Sequence, residues 1–291
     1  MRILMFGANG QVARETLALA AERGTDIVAL DRAQADITDG AALARAVEAA
    51  KPDIVFNAAA YTAVDKAERE PEAAEQGNAI GPGLIAAQCA AAGIPVVHIS
   101  TDYVFDGTKA GAYVESDPLA PLGVYGRTKA AGEAAVRAAN PRHVILRTSW
   151  VYGVHGANFL KTMLRLAGER DRLTVVADQH GCPTATRDIA LALFAVADAV
   201  AAGTAHYGTY HFAGTGATTW HGFASEIVAR AARHTGRSPE VAAITTADYP
   251  TPARRPANSE LSSSLFEQTF RYRAAPWQAR TGEVVDALLA P

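Results

Sequence analysis

Short apolar runs alternate along this chain with longer amphipathic stretches. Residues 3–6, 26–30, 53–57, 96–99 and 145–148 are rich in Ile, Val, Leu and Phe. Such runs, with little polar alternation, read as strands buried on both faces, as in a parallel sheet. Between them the apolar positions recur at helical spacing, to about residue 23, over 40–50, 64–69 and 71–92 (interrupted near Gly81-Pro82-Gly83), and over 128–139. Strand and helix in regular succession predict an α/β fold, a doubly wound parallel sheet of Rossmann type. Beyond Gly153 the alternation loosens into helices over 157–169, 187–202 and 220–234 and strands over 173–177 and 208–213.

The first strand runs into Gly7-Ala8-Asn9-Gly10-Gln11-Val12-Ala13 and then a helix. A strand, a glycine turn and a helix N-terminus place unpaired backbone N–H groups where a phosphate would sit. The usual third glycine is Ala13, the mildest replacement where small size serves helix–strand packing. Asp31 ends the second strand about 20 residues beyond Gly10, where an acid is expected to hold the ribose of an adenine dinucleotide. Arg32 follows and suits a 2′-phosphate, so the pair leaves NADH and NADPH both open. Asp36 and Ile37 suit the two sides of an adenine ring, although Thr38 or Asp39 capping the next helix explains the stretch equally well. Glu15 reads as a solvent-facing acid. The small residues Ala58, Ala59 and Ala60, then Tyr61 and Thr62, let backbone approach a bound ring. These features predict a dinucleotide-binding domain over 1–150 and a smaller C-terminal substrate-binding lobe over 151–291, with a soft boundary because later pieces return to the sheet.

Ligands in open α/β sheets lie beyond the carboxyl ends of the strands. Thr101 is there, placed to hydrogen-bond a substrate oxygen, with Asp102 beside it; His98, inside the strand, reads as a core histidine. Tyr125 and Lys129 stand four residues apart on one helix face. An ammonium beside a phenol favours the phenolate, so the Tyr125 pKa is expected to fall from its ordinary value near 10. A phenol tuned in this way exchanges protons with a carbonyl or alcohol oxygen. The alternative is a surface pair on a solvated helix. Trp150, after the strand over 145–148, suits either a sugar face or a core cover. Arg254, Arg255 and Asn258, in a loop stiffened by Pro250, Pro252 and Pro256, suit either a diphosphate or a salt-bridged loop.

A net charge of −3 without a basic block argues against nucleic acid as the main partner. No apolar run reaches membrane-spanning length, and the opening directly on a strand predicts a cytoplasmic protein without a signal peptide. Cys89 and Cys182 lack metal-ligand spacing and read as free thiols, with no metal site expected.

Taken in order, the Gly7-x-x-Gly10-Gln11 turn, Asn57-Ala-Ala-Ala-Tyr-Thr62, Ser100-Thr-Asp-Tyr-Val-Phe105, Tyr125-x-x-x-Lys129 and Arg147-Thr-Ser-Trp150 resemble the extended short-chain dehydrogenase/reductases. The likeness continues through Asp178-Gln-His-Gly-Cys-Pro-Thr184, Thr218-Thr-Trp-His221 and Arg255-Pro-Ala-Asn-Ser259. The stretch over 262–273 departs from the family pattern. The resemblance implies that Tyr125 is the general acid. Lys129 would hold the nicotinamide ribose and acidify the phenol, and Thr101 would polarise a keto oxygen. It implies that Asp102 and Trp150 touch the sugar, and that Gly10, Gln11, Val12, Asp31, Asp36, Ile37, Ala60, Tyr61 and Thr62 line the cofactor. The implied reaction is reduction of the 4-keto group of a dTDP-4-keto-6-deoxy sugar by NADPH or NADH, giving dTDP-L-rhamnose, in a monomer or homodimer. Two other readings stay open. One is another nucleotide-sugar enzyme (a ketoreductase, epimerase or dehydratase), although Tyr103 after Asp102 lacks the second acid of dehydratases. The other is a non-catalytic NAD(P)-binding regulatory subunit.

Overall fold

The computed structural model describes residues 1–290. In the first half of the chain the elements are β1 (Arg2–Phe6), α1 (Gln11–Arg23), β2 (Asp26–Leu30), α2 (Gly40–Ala50) and β3 (Ile54–Asn57). Then come α3 (Val64–Ala67), α4 (Pro71–Glu75), a π-helical turn (Gln76–Ile80), α5 (Gly81–Ala91) and β4 (Val96–Thr101). After a 3₁₀ turn (Asp102–Val104) follow α6 (Val124–Ala139) and β5 (His143–Thr148).

In the second half, β6 (Val151–Tyr152), α7 (Phe159–Glu169), β7 (Arg172–Val176), β8 (His180–Gly181) and β9 (Thr184–Ala185) lead to α8 (Thr186–Ala201) and β10 (Gly208–His211). The chain closes with β11 (Thr218–Thr219), α9 (Trp220–Thr235), β12 (Glu240–Ile244), β13 (Asn258–Ser259), α10 (Ser264–Phe270) and α11 (Trp277–Leu289).

Six strands pair in parallel in the order β10-β5-β4-β3-β1-β2. Alternate residues face opposite sides, so each strand feeds two cores. Ile3, Met5 and Phe56 meet Ala13 and Leu19 of α1 and Ile189 and Leu193 of α8 on one side. Leu4, Phe6 and Val55 meet Leu43 of α2, Ile85 of α5 and Val136 of α6 on the other. Each such fully buried Phe or Leu stabilises the fold by about 1.5–3 kcal/mol. The sixth strand and α8 come from beyond residue 150, as returns to the sheet. A third core, with Tyr152, Leu160, Leu173, Phe223, Ile227 and Trp277, lies among α7, α9, α11 and the parallel pair β12–β7. β11, β8 and β13, two residues each, join the pieces of this region.

Two helices differ from expectation. The interruption expected near Gly81 is the π-helical turn just before it. Pro82 has no N–H to return to Asn78. The Asn78 carbonyl faces Gly132 of α6 instead, where any side chain would collide with it. α6 begins at Val124 rather than at 128 because the Glu68 carboxylate accepts the Val124 N–H at 2.7 Å. A remote side chain thus caps this helix, and the cap brings Tyr125 inside it.

Candidate active site

The strand order reverses between β1 and β3, and the crevice at such a switch point is where open sheets bind ligands. Gly7 has φ +92°, and a Cβ there would lie 2.7 Å from the Ala59 nitrogen, so the backbones touch only because residue 7 is glycine. Gly10 caps α1 without a side-chain hydrogen bond, which leaves the first-turn N–H groups open. Ala13 is fully buried against the sheet, so it serves helix packing and does not obstruct the turn. Glu15, expected to face solvent, turns instead to α8, where it accepts from Thr186 at 3.2 Å.

A cleft of about 810 Å³ opens here, lined by Gly7, Gly10, Asp31, Arg32, Asp36, Ile37, Ala60 and Tyr61 among others. These residues suit a dinucleotide: glycine backbone and a helix N-terminus for phosphate, carboxylates for ribose, Ile37 and alanines for a ring. Asp31 accepts from Ala33 N and Gln34 N, both at 3.0 Å, and Asn9 approaches its other oxygen at 3.3 Å. Asp36 accepts from Thr38 and pairs with Arg32 at 3.1 Å; the Thr38 backbone N–H above all holds its pKa below the usual carboxylate value. Gln11 and Val12 lie in the first turn of α1. Thr62 is exposed just beyond Tyr61. Asn78, buried in the π-helical turn, fixes Tyr61 by accepting its N–H at 2.8 Å and donating to its carbonyl at 3.0 Å. Only the residue type hinted at this role, since the pairing depends on the π turn.

At the carboxyl end of β4, Thr101 is buried and its hydroxyl donates to Asp102 at 2.9 Å. The Tyr125 ring from α6 lies near Thr101, which pulls its pKa down a little, and Tyr103 packs edge-on against that ring at 5.6 Å. Asp102 is 2% exposed; burial lifts its pKa to about 6, and its Oδ2 has no hydrogen-bond partner. An unpartnered buried oxygen beside a threonine–tyrosine pair is suited to a polar ligand.

One expectation is overturned. The Tyr125 pKa does not fall: burial raises it to about 12, against a smaller downward pull from Thr101. Lys129 is fully enclosed and points away from the phenol, donating to the Ile99 carbonyl at 2.7 Å and meeting His98 Nε2 at 3.3 Å. Four-residue spacing puts Cβ atoms on one face, but it does not aim a flexible lysine.

Two substrate candidates are also corrected. Trp150 is not open for sugar stacking. Its indole lies 3.6 Å from that of Trp220, nearly parallel, and Gly181 packs against it so closely that a Cβ would fall 2.5 Å from Cε2. Asn258 spends its amide on the Lys109 and Gly111 carbonyls, at 2.9 and 2.8 Å, and on the Glu260 N–H. It fastens a loop. Arg255 grips Asp65 at 2.8 Å, half-buried near Tyr103, while Arg254 is exposed.

A doubly wound parallel sheet with a glycine-turn cleft at its switch point, Thr101 at the end of β4 and Tyr125 and Lys129 on α6 beside it, is the layout of the extended short-chain dehydrogenase/reductases. Solved structures at low identity share this fold, among them UDP-glucose 4-epimerase from Thermus thermophilus (TM-score 0.80, 22% identity). Within that class the chain belongs to the family described as RmlD substrate binding domain, whose model matches residues 1–290. It is 46% identical to a dTDP-4-dehydrorhamnose reductase of Sinorhizobium fredii, over 99% of this chain and 98% of that one. It is also similar to the crystal structure of a dTDP-4-dehydrorhamnose reductase from Clostridium acetobutylicum (TM-score 0.92, 40% identity, 99% of each chain). The Bacillus anthracis reductase solved in complex with NADP has a TM-score of 0.90 and 34% identity, over 97% of this chain and 98% of that one.

Proposed function

We propose that this chain is an NADPH- or NADH-dependent oxidoreductase that reduces the 4-keto group of dTDP-4-dehydrorhamnose to dTDP-L-rhamnose. The observation that carries the reading is the placing of buried Thr101 at the carboxyl end of β4 and of Tyr125 in one cluster with Tyr61, a residue that lines the dinucleotide cleft. Its relatives' activity agrees with that geometry.

Reduced nicotinamide, when bound, supplies hydride to the sugar carbon. As charge grows on the keto oxygen, Tyr125 aims its O–H at it, and Thr101 turns to it the one proton that it otherwise gives to Asp102. Tyr125 then gives up its proton, a role typically worth about 10²–10⁴-fold in rate. A phenol with a pKa near 12 holds that proton throughout the physiological range. Before substrate enters, Asp102 accepts the Thr101 hydroxyl proton at 2.9 Å and keeps the side chain at the end of β4. Tyr103 occupies the position where a dehydratase would need a second acid, and its ring is packed on Tyr125. Gly7, Gly10, Asp31, Asp36, Ile37, Ala60 and Tyr61 hold the dinucleotide, and Arg255 closes the nucleotide side through its loop. The reading includes a cytosolic enzyme, monomeric or dimeric, with neither nucleic acid nor membrane as partner.

The test is incubation with dTDP-4-keto-L-rhamnose and NADPH or NADH. Loss of the reduced-nicotinamide absorbance with formation of dTDP-L-rhamnose by NMR is expected; no oxidation of either cofactor refutes it.

A further inference from the structure

Among the described residues Tyr249 is the one Phe, Tyr or Trp whose side chain is exposed, 60% open to solvent. A lone aromatic on an open surface needs no explanation. Tyr249 is set apart by its frame. Before it, Asp248 accepts the Thr245 N–H at 2.9 Å, and Asp178 accepts the Thr246 N–H at 2.9 Å and the Thr246 hydroxyl at 2.7 Å. The Tyr249 N–H donates to the Thr246 carbonyl at 3.2 Å. After it come Pro250 and Pro252, and then the Asp65 carboxylate accepts the Ala253 N–H at 3.2 Å and two Arg255 N–H groups at 3.1 and 2.8 Å. The loop is pinned at both ends, and a residue before proline has few backbone alternatives. The ring is thus held out in solvent on a frame that does not let it fold down.

Its neighbours show which ligand group it faces. Arg255 lies near both Tyr103 and Tyr249, and Tyr103 packs on Tyr125. Asp65, which holds Arg255, is followed by Lys66 in the wall of the dinucleotide cleft. Outward from Tyr125 the side chains therefore run Tyr103, Arg255, Tyr249. A nucleotide sugar carries its groups in a matching order: sugar, diphosphate, base. A guanidinium suits the diphosphate. A flat ring with two torsions, already held in place, suits the face of a base at little cost in conformational entropy.

We propose that Tyr249 is the platform on which the pyrimidine base of the nucleotide-sugar substrate stacks, with the diphosphate at Arg255 and the sugar at Tyr125. The identity of the ligand rests on the proposed reductase reading. Stacking reads the face of a base and not its hydrogen-bonding edge, so Tyr249 supplies affinity for the nucleotide and little choice between thymine and uracil. The base is remote from the reacting carbon and is held equally before and during hydride transfer. Its loss therefore shows in KM and not in kcat.

The test is calorimetric titration of the full chain, with NADPH present, by dTDP and by inorganic pyrophosphate, a probe that lacks the base. Tyr249→Ala should weaken dTDP binding about tenfold, the scale of one base–aromatic stack, and leave pyrophosphate binding unmoved. Tyr249→Phe keeps the ring and should bind dTDP as the parent does. A Tyr249→Ala variant with parental dTDP affinity overturns the assignment. So does a Phe variant as weak as the Ala variant, which would make the hydroxyl the contact, or an equal loss for dTDP and pyrophosphate, which would mean that the loop and Arg255 had moved. The reductase reading fails separately. A chain that binds dTDP in this Tyr249-dependent way but oxidises no NADPH with dTDP-4-keto-L-rhamnose keeps the base site and loses the reductase. A chain that reduces the sugar with an unmoved KM in Tyr249→Ala keeps the reductase and loses the base site.

Discussion

Arg255 holds Asp65 through two hydrogen bonds, at 3.1 and 2.8 Å, across 190 residues of sequence. The pair ties the proline-rich loop before β13 to α3, beside the nucleotide cleft, and Asp65 also accepts the Ala253 N–H at 3.2 Å. Both side chains are partly exposed, so the pair adds little to global stability. Its value is in shaping the loop. Arg255→Ala should raise KM for the nucleotide sugar about tenfold, the scale of one charged hydrogen bond, and leave NADPH affinity unchanged. Steady-state kinetics with a cofactor titration decides it, and an unchanged KM would remove Arg255 from substrate binding.

Tyr125→Phe removes one hydroxyl and keeps a ring that packs on Tyr103. Turnover should fall by about 10²–10⁴-fold while the NADPH dissociation constant stays within a factor of two. A variant within threefold of the parent rate would reject Tyr125 as the acid.

The sheet was legible because its signals are local. Apolar runs gave β1 to β5, and the Gly7 and Gly10 turn gave the cleft. Orientation was less so. Tyr125 and Lys129 share a helix face, yet Lys129 turns to Ile99, a choice made by a carbonyl on a neighbouring strand. Trp150 follows a strand end as a ligand contact would, but Trp220, 70 positions on, covers it. The two-residue strands β8, β11 and β13 have no periodicity to detect, and the Glu68 cap of α6 spans 56 positions. Such partners are fixed only by tertiary packing.

Lys129 predicts a pH dependence with a definite sign. Burial lowers its pKa to about 8, so it is charged below that pH and neutral above it. The ammonium behind the site favours the negative charge that grows on the keto oxygen, so kcat/KM should decline as pH rises through about 8. Lys129→Met should run at a low rate with that limb missing. A pH–rate profile of both proteins tests this, and a parent profile flat from 7 to 9 contradicts it.

Asp102 works in the opposite sense on stability. Its folded pKa is raised to about 6 by burial, so the folded state binds a proton more tightly than the unfolded chain. Stability therefore drops as pH rises from about 4 to about 6, and the cost of the buried charge persists above that. Asp102→Asn should raise the melting temperature by about 2–4 °C at pH 7.5, for each kcal/mol relieved, and change it little at pH 4.5. Thr101 would lose a charged acceptor, so activity should fall in the same variant. Thermal melts at the two pH values separate the effects, and equal shifts at both would show that the carboxylate charge is not the cause.

Gly181 carries the packing beneath the substrate side of the site. A Cβ there would lie 2.5 Å from Trp150 Cε2 and 2.7 Å from Nε1, well inside contact distance, and Trp150 cannot retreat because Trp220 stacks 3.6 Å behind it. Trp150 also sits at φ +47°, a left-handed conformation unusual for an aromatic residue, so its backbone has few alternatives. Gly181→Ala should therefore cost about 1–3 kcal/mol, as overpacking in a filled core does. The strain should reach β4 less than it reaches the lobe, because β8 pairs with β11 and β13 and not with the six-stranded sheet. NADPH binding should then survive in the variant while KM for the nucleotide sugar rises. Denaturant unfolding measures the first effect and paired cofactor and substrate titrations the second. Full stability in Gly181→Ala would mean that the indole pair can slide, and the account of Trp150 as a fixed core residue would fall with it.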